Sequence, residues 1–501
     1  MSQITIANVT FGYEGNYDNV FEDVTINMDT DWRIGLVGRN GKGKTTLLRL
    51  LSGVERPHLG TIIMPVQCDY FPFHIEDEEK SASESLGELN AGLEDWMLLR
   101  ELDKLEVEPE KLYQSFGSLS GGEKTKILLA ALFLREGRFF LIDEPTNHLD
   151  MQSRRLVRDY LKSKKGFILI SHDRDFLDGC IDHVIAINRS SIQVRKGSFS
   201  AWMQDKAARD SWEMKENEKL KKDIARLNQA SRRTAVWADK TEATKTGTRN
   251  SGLRPDRGFI GHKSAKMMSK AKTTQDRMND AIEEKSKLLH DVEKTETLSI
   301  PVLRHTKNRI VLMRDFALQY AGADVCEPLT LELKHGQVLA LIGKNGSGKS
   351  SVLRCIAGEA VSYSGTLEMP GGLIVSYVSQ HPGNLEGGLE RFAEESGADL
   401  TLLLTIMRKM DFSRAQFEKN ISSFSEGQKK KLLIARSLCT PAHLYIWDEP
   451  LNYIDILSRI QIEQIITSCR PTMIISEHDA AFVNAVSTSQ IQVNRAACNF
   501  G

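Results

Sequence analysis

Along the 501 residues, the spacing of apolar side chains changes several times, and the order of changes occurs twice. Ile4-Thr5-Ile6-Ala7-Asn8-Val9-Thr10-Phe11 alternates apolar and polar positions, the period of a strand with one covered face. Further on, Trp32-Arg33-Ile34-Gly35-Leu36-Val37 is a continuous apolar run that predicts a buried strand. A helical stretch, Thr45 to Gly53, follows with Gly53 as its stop signal. The second half repeats this with an alternating segment from Asn308 to Tyr320, the run Val338-Leu339-Ala340-Leu341-Ile342, and a helix from Ser351 that stops at Gly358. A period of roughly half the chain predicts two α/β domains, 1–200 and 301–501.

Segment 201–300 has a different pattern. No Gly or Pro occurs from Asp205 to Ser231, and Leu220, Ile224 and Leu227 are spaced as on one helix face. A return stripe, Met268, Ala271, Met278, Ile282, Leu289 and Val292, follows a heptad with Gln275 and Lys285 at its remaining positions. Two narrow stripes predict an antiparallel α-helical coiled-coil hairpin about 50 Å long at about 1.5 Å per residue. Its tip is expected over roughly 238–264, where four glycines and Pro255 fall.

The turn between each apolar strand and its helix carries chemistry. Gly38-Arg39-Asn40-Gly41-Lys42-Gly43-Lys44-Thr45 and Gly343-Lys344-Asn345-Gly346-Ser347-Gly348-Lys349-Ser350 both fit G-x-x-x-x-G-K-[ST]. Such glycines let backbone N–H groups close around phosphates, the lysine reaches the β/γ-phosphates, and the hydroxyl ligates Mg²⁺. Candidate ATP-binding residues here are Gly38, Asn40, Gly41, Gly43, Lys44, Thr45 and Thr46, with Gly343, Asn345, Gly346, Gly348, Lys349, Ser350 and Ser351 in the second half.

Each P-loop is followed by the same series. The first half has Leu119-Ser120-Gly121-Gly122-Glu123, the apolar strand Phe139-Phe140-Leu141-Ile142 ending in Asp143-Glu144, then His148-Leu149-Asp150 and Ser171-His172-Asp173. The second has Phe424-Ser425-Glu426-Gly427-Gln428, Leu444-Tyr445-Ile446-Trp447-Asp448-Glu449, Tyr453-Ile454-Asp455 and Glu477-His478-Asp479. On these motifs the chain resembles the ATP-binding cassette superfamily. Two cassettes joined by a charged helical hairpin, without membrane spans, resemble its ABC-F family of ribosome-associated ATPases. The resemblance covers the whole chain.

It implies an ATPase with ATP and Mg²⁺ as cofactors. Lys44 and Lys349 would neutralise the phosphates, and Mg²⁺ would be held through Thr45, Asp143, Ser350, Asp448 and Gln380. Glu144 and Glu449 are the general-base candidates, since a carboxylate at a strand's carboxyl end can face the attacking water. His172 and His478 match the γ-phosphate switch histidines, with a plain strand-end turn as the alternative. Tyr13 and Tyr320 match the adenine-stacking aromatic, with core packing as the alternative. The signature motif of one half would complete the site of the other, so Lys44 pairs with Ser425, Glu426 and Gly427, and Lys349 with Ser120, Gly121 and Gly122. Two departures fall on the Lys44 site: Phe73 stands where the second half has Gln380, and Glu426 replaces a glycine. That site is expected to hydrolyse more slowly.

Composition bears mainly on the hairpin and the surroundings of the protein. Seven scattered cysteines without a CxxC pair argue against a disulfide framework or zinc site and for a reducing, cytoplasmic setting. No run approaches the ~20 apolar residues of a membrane helix. Net charge is −1, yet Asn228–Lys272 holds eleven Lys/Arg against three Asp/Glu. This one-signed cluster is interleaved with aromatics, which suits RNA: cations bind the phosphate backbone and exposed rings stack on unpaired bases. Candidate rRNA contacts are Arg232, Arg233, Trp237, Lys240, Lys245, Arg249, Arg254, Arg257, Phe259, His262, Lys263 and Lys266.

The family plan implies a monomer on the 70S ribosome. It would occupy the tRNA exit site near 23S rRNA and P-site tRNA, with its hairpin tip near the peptidyl-transferase centre. A short 74–116 segment, a long hairpin loop and no coiled-coil tail look most like the Lsa/Vga-type antibiotic-resistance group. Target protection against lincosamides, pleuromutilins and group A streptogramins is therefore expected. The alternatives are a housekeeping ABC-F translation factor, an ATPase subunit of a transporter, and a genome-maintenance ATPase.

Overall fold

The computed structural model describes residues 2–13, 19–89, 94–147, 149–187, 192–243, 269, 272–273, 277, 300–320, 323–410, 412 and 414–496. The chain divides into two units, Met1–Trp202 with Thr297–Gly501, and Met203–Glu296.

The first unit contains two tandem α/β folds built on one plan. In the first, a six-stranded sheet runs in the order Gln67–Phe71, Arg138–Asp143, Phe167–Ile170, Arg33–Gly38, His183–Ile187, Ile192–Lys196. All neighbours are parallel except the last pair. Parallel strands need covering on both faces, which is why Phe167–Ile170 and His183–Ile187 are apolar and buried throughout. An antiparallel sheet of Phe21–Asp29, Gln3–Phe11 and Leu59–Ile63 lies beyond the P-loop helix, Lys44–Leu51. Gln3–Phe11 shows the expected alternation, with Ile4, Ile6, Val9 and Phe11 buried. Those side chains share one core with Leu47, Leu48, Leu50 and Leu51 of the helix and with Leu36, Leu141 and Ile168 of the parallel sheet.

The second half repeats the plan with five parallel strands, Val375–Val378, Leu444–Asp448, Met473–Ser476, Val338–Ile342 and Ser489–Gln492. Its antiparallel sheet is built on Arg309–Tyr320, flanked by Leu329–Lys334 and Tyr363–Glu368. The helix Lys349–Ile356 lies between the sheets and shares their core.

Strand register aligns the halves residue by residue. Phe71 pairs with Ile142, the residue before Asp143, and Val378 pairs with Trp447, the residue before Asp448. Two residues on, Phe73 and Gln380 therefore occupy one position. Asp143 pairs with Ile170 and Asp448 with Ser476, so Ser171 corresponds to Glu477. The motif residues collect at the carboxyl ends of the parallel strands, where α/β sheets bind ligands.

In the second unit the described backbone is almost entirely the helix Phe199–Ala243. It runs past the expected break near residue 238, because Ala238, Lys240, Glu242 and Ala243 favour helix and no glycine intervenes before Gly247. The expected tip loop beyond 243 and nearly all of the return helix lie outside the described residues.

One buried ionic cluster links elements of the first half. The Glu101 side chain, 3% exposed, accepts hydrogen bonds from Tyr160 Oη at 2.8 Å, from Lys104 Nζ at 2.7 Å and from Lys164 Nζ. Burial raises its pKa, but these partners outweigh burial and hold the carboxyl at about 2. A lowered carboxyl contributes stability that is complete above its unfolded pKa and is lost as pH falls toward the folded one. Glu101→Ala should therefore cost about 3 kcal/mol at pH 7 in urea unfolding, since the largely buried Lys164 ammonium and the buried Tyr160 hydroxyl lose their acceptor. The gap from the parent should narrow as pH falls from 5 toward 3.

Candidate nucleotide-binding site

The sequence makes each P-loop a helix start that no side chain caps. Gly43 and Gly348 precede the helices with φ of 89° and 96°, and neither helix has a side-chain cap. A Cβ on Gly43 would come within 2.6 Å of Val20 Cγ1 and 2.8 Å of Phe21 Cζ, so only glycine fits. First-turn N–H groups are thereby directed at the space where a phosphate would sit. Lys44 Nζ donates to Gly38 O at 2.8 Å, Arg39 O at 3.2 Å and Asn40 Oδ1 at 3.3 Å. Lys349 Nζ donates to Gly343 O and Lys344 O, both at 2.9 Å. Burial lowers the pKa of both ammonium groups against the pull of nearby carboxylates. An arriving polyphosphate would restore their preference for charge.

The Mg²⁺ candidates meet in both halves. Thr45 Oγ1 lies 3.3 Å from Asp143 Oδ2, and Ser350 Oγ lies 3.0 Å from Asp448 Oδ1. Tyr70 Oη also donates to Asp143 Oδ2 at 2.7 Å. Asp448 Oδ2 is buried and has no hydrogen-bond partner among the described residues. A hydroxyl beside a carboxylate with one free oxygen suits a hard cation that keeps several of its own waters, as Mg²⁺ does. Gln380, a metal candidate from the sequence, instead donates Nε2 to Glu449 Oε2 at 2.9 Å.

Glu144 and Glu449 share a backbone conformation and differ in surroundings. Both have positive φ, 50° and 44°, a strained geometry for a non-glycine residue. Each is held by its N–H, which donates to Ile170 O or Ser476 O at 2.9 Å. Glu449 Oε2 accepts from Gln380 Nε2 and Asn452 Nδ2, both at 2.9 Å, and Oε1 lies 3.4 Å from His478 Nε2. Burial alone would raise this carboxyl, but His478, Asn452 and Gln380 hold it down at about 2. Glu144 has His172 Nε2 at 3.2 Å from Oε1, but neither of its oxygens gains a hydrogen bond among the described residues. Burial and the neighbouring Asp143 charge push it up to about 8. Phe73 stands where Gln380 would be, its ring under the Arg135 guanidinium at 5.4 Å. His172 is kept neutral, first by burial and then by the Lys44 and Arg459 charges.

Contacts cross between the halves. Asn40 Nδ2, in the first P-loop, donates to Tyr453 O at 3.0 Å. The Arg174 guanidinium pairs with Glu463. Asp455, beside Tyr453, is one of the carboxylates acting on Lys44, and Asp150 likewise acts on Lys349. The second signature sits against this turn, where a Cβ on Gly427 would lie 2.7 Å from Tyr453 O.

Ser425 and Ser120 each cap their signature helix in a reciprocal box with Gln428 or Glu123. Gly121 and Gly122 open the first of these helices. Glu426 opens the second, exposed and 3.6 Å from Lys429 Nζ. At a helix N-terminus and paired with a lysine, its charge is partly neutralised, so the Glu144 and Phe73 surroundings carry most of the difference between the sites.

Tyr13 is half-buried against the first core, and its hydroxyl lies 3.0 Å from Thr46 Oγ1. Tyr320 ends its strand opposite Ala323. Its side chain, His148, and the side chains of Arg232, Arg233, Trp237 and Lys240 lie outside the described residues. So do Lys245, Arg249, Arg254, Arg257, Phe259, His262, Lys263 and Lys266. Motif reading missed Asn452, Tyr70 and the buried pair Lys431–Asp455 at 2.7 Å. Only the fixed spacing of Asn452 from Glu449 could have signalled one of them.

The model of the family described as ABC transporter matches residues 21–147 and 326–452. Ribosome protection protein VmlR of Bacillus subtilis (strain 168) is 26% identical over 98% of this chain and 86% of its own length. Energy-dependent translational throttle protein EttA of Escherichia coli O6:H1 is 23% identical over 94% of this chain and 88% of its own. Among solved structures, the archaeal ribosome recycling factor aABCE1, in complex with the ribosomal stalk protein aP1, superposes with a TM-score of 0.63. At 18% identity over 97% of this chain and 87% of that one, it bears on the fold alone. No helix among the described residues is long and apolar enough to cross a membrane.

The unequal carboxyls predict unequal pH responses. With Glu144 as the remaining candidate base, effective only once deprotonated, the residual ATP turnover of Glu449→Gln should rise about tenfold from pH 7 to 9. Glu144→Gln leaves Glu449, already ionised, and turnover should stay flat over the same range. Steady-state phosphate release from the two variants checks both.

Proposed function

We propose a function from one premise: the chain belongs to the ABC transporter family and, within it, to the ABC-F ATPases. It hydrolyses ATP. Closing the two halves on two nucleotides would place Lys44 opposite the second signature and Lys349 opposite the first. Lys44 and Lys349 neutralise the γ-phosphate, and Glu144 or Glu449 takes the proton from the attacking water. His172 and His478 hold those carboxylates and sense the γ-phosphate. Thr45 with Asp143, and Ser350 with Asp448, would hold Mg²⁺, which would supply positive charge against that of the phosphates.

The ATP-closed protein binds the ribosome at its exit site, and the basic segment between the halves contacts 23S rRNA. Its tip reaches toward the peptidyl-transferase centre and dislodges lincosamides, pleuromutilins and group A streptogramins. The observation that carries this reading is likeness to a ribosome protection protein along nearly the whole chain, the segment between the halves included. Likeness to the translational throttle protein favours a second reading, a housekeeping factor acting on the same ribosomal site. A transporter subunit would leave the basic segment without a task.

Replacing both Glu144 and Glu449 by Gln keeps shape but removes the base, so ATP should bind and close the halves without release. The double variant should co-sediment with ribosomes several-fold more than the parent in ATP; equal amounts would contradict the assignment. Expressing the parent in a susceptible host should raise the inhibitory concentrations of a lincosamide and a pleuromutilin. Unchanged values with intact ribosome binding would favour the housekeeping reading.

A further inference from the structure

The halves differ at two more buried positions, neither used in the chemistry above. In the first half, Thr125 of the signature helix back-bonds to its own helix, Oγ1 to Gly121 O at 2.9 Å. The corresponding residue of the second half is Lys430, 1% exposed. After the central strand, the first half has Ser171, whose hydroxyl lies 3.2 Å from Thr146 Oγ1. The second has Glu477, 2% exposed. A buried lysine and a buried carboxylate have thus replaced two hydroxyls in one half only.

Each occupies its bonding capacity on the elements that surround the Lys349 site. Lys430 Nζ donates to Ser379 O at 2.6 Å, Gln380 O at 2.9 Å and Asp448 O at 3.3 Å. An ammonium has three donors, and all three meet carbonyls. Two belong to the loop that carries Gln380, and the third ends the strand that delivers Asp448 and Glu449. Glu477 Oε2 accepts from Leu451 N at 3.1 Å, and Oε1 accepts from His478 N at 2.8 Å. Leu451 adjoins Asn452, whose amide donates to Glu449. Lys430 has Glu477, Asp448 and Glu449 as its compensating charges.

We propose that Lys430 and Glu477 are positioning residues of the Lys349 site. Through these hydrogen bonds they fix the Gln380 loop, the Asp448–Glu449 strand end and the His478 turn in mutual register. The consequence is visible at Glu449, which has two amide donors, whereas Glu144, in the half that carries Thr125, Ser171 and Phe73 at the corresponding positions, has none among the described residues. The three differences act together: Gln380 supplies the donor, Lys430 holds its loop, and Glu477 holds the turn opposite. Such preorganisation acts on turnover more than on nucleotide affinity.

The inference rests on Glu449 as the base of its site, and the test separates the two. In a Glu144→Gln background, where only the Lys349 site turns over, Lys430→Met should lower kcat at least tenfold. The Kd for a fluorescent ATP analogue should stay within about twofold. Glu477→Gln, nearly isosteric, should lower kcat about threefold and serves if the lysine variant fails to fold. Lys430→Thr with Glu477→Ser should lower kcat no further than the worse single change, because both act on the same loops. In a Glu449→Gln background none of these changes should alter residual turnover more than twofold. Equal losses in both backgrounds, or affinity falling in step with kcat, would mean a purely structural role and overturn the proposal. Unchanged kcat would overturn it as well. If Glu449→Gln itself leaves turnover intact, it is the base assignment that fails.

Discussion

At the carboxyl ends of both sheets, ionisable groups sit where water does not reach them. A charge in such a place costs several kcal/mol unless an opposite charge and hydrogen bonds meet it. The chain meets this cost with paired sets. Arg154 reaches Asp173 at 3.1 Å, Arg459 reaches Asp479 at 3.0 Å, and Lys431 reaches Asp455 at 2.7 Å. Arg459 also holds Ile454 O and Leu451 O at 2.9 Å, so one guanidinium ties the turn after Glu449 to the segment after His478. Remove any partner and the other is stranded, which ties these turns to one another. The P-loop lysines are the members whose charge burial disfavours most directly, and a nucleotide's phosphates are the natural complement.

That electrostatic economy also separates the two sites. The five parallel strands of the two halves correspond in order, and Glu144 and Glu449 share the same strained φ. Glu449 accepts from two amide donors, whereas Glu144 lies beside Asp143 with no hydrogen bond to its own oxygens among the described residues. Desolvation acts on both, and among the described residues only Glu449 has the amide dipoles that overcome it. In the proposed cycle the Lys349 site is then suited to hydrolysis and the Lys44 site to holding ATP across the junction, a division that gives the closed state a lifetime.

Much of this was legible in the chain. P-loops, strand-end acids and capped signature helices are local patterns, and local patterns survive folding because each is fixed by neighbours a few residues away. Phe73 against Gln380 was readable for the same reason, since it lies at a constant distance from its strand. The sequence shows Glu426 where glycine is expected, but its pairing with Lys429 needs the helix geometry. Lys430 and Glu477 stood in the open as differences between two aligned halves. Their meaning required knowing that three carbonyls from distant segments converge on one ammonium. No spacing rule encodes that convergence.

The central claim is that the two sites do different chemistry in one closed molecule. It is tested most directly by imaging the unmutated protein on ribosomes during turnover and identifying the nucleotide in each site. ADP at the Lys349 site with ATP still bound at the Lys44 site is the predicted result. ADP first at the Lys44 site, or in both sites at every stage, would contradict it.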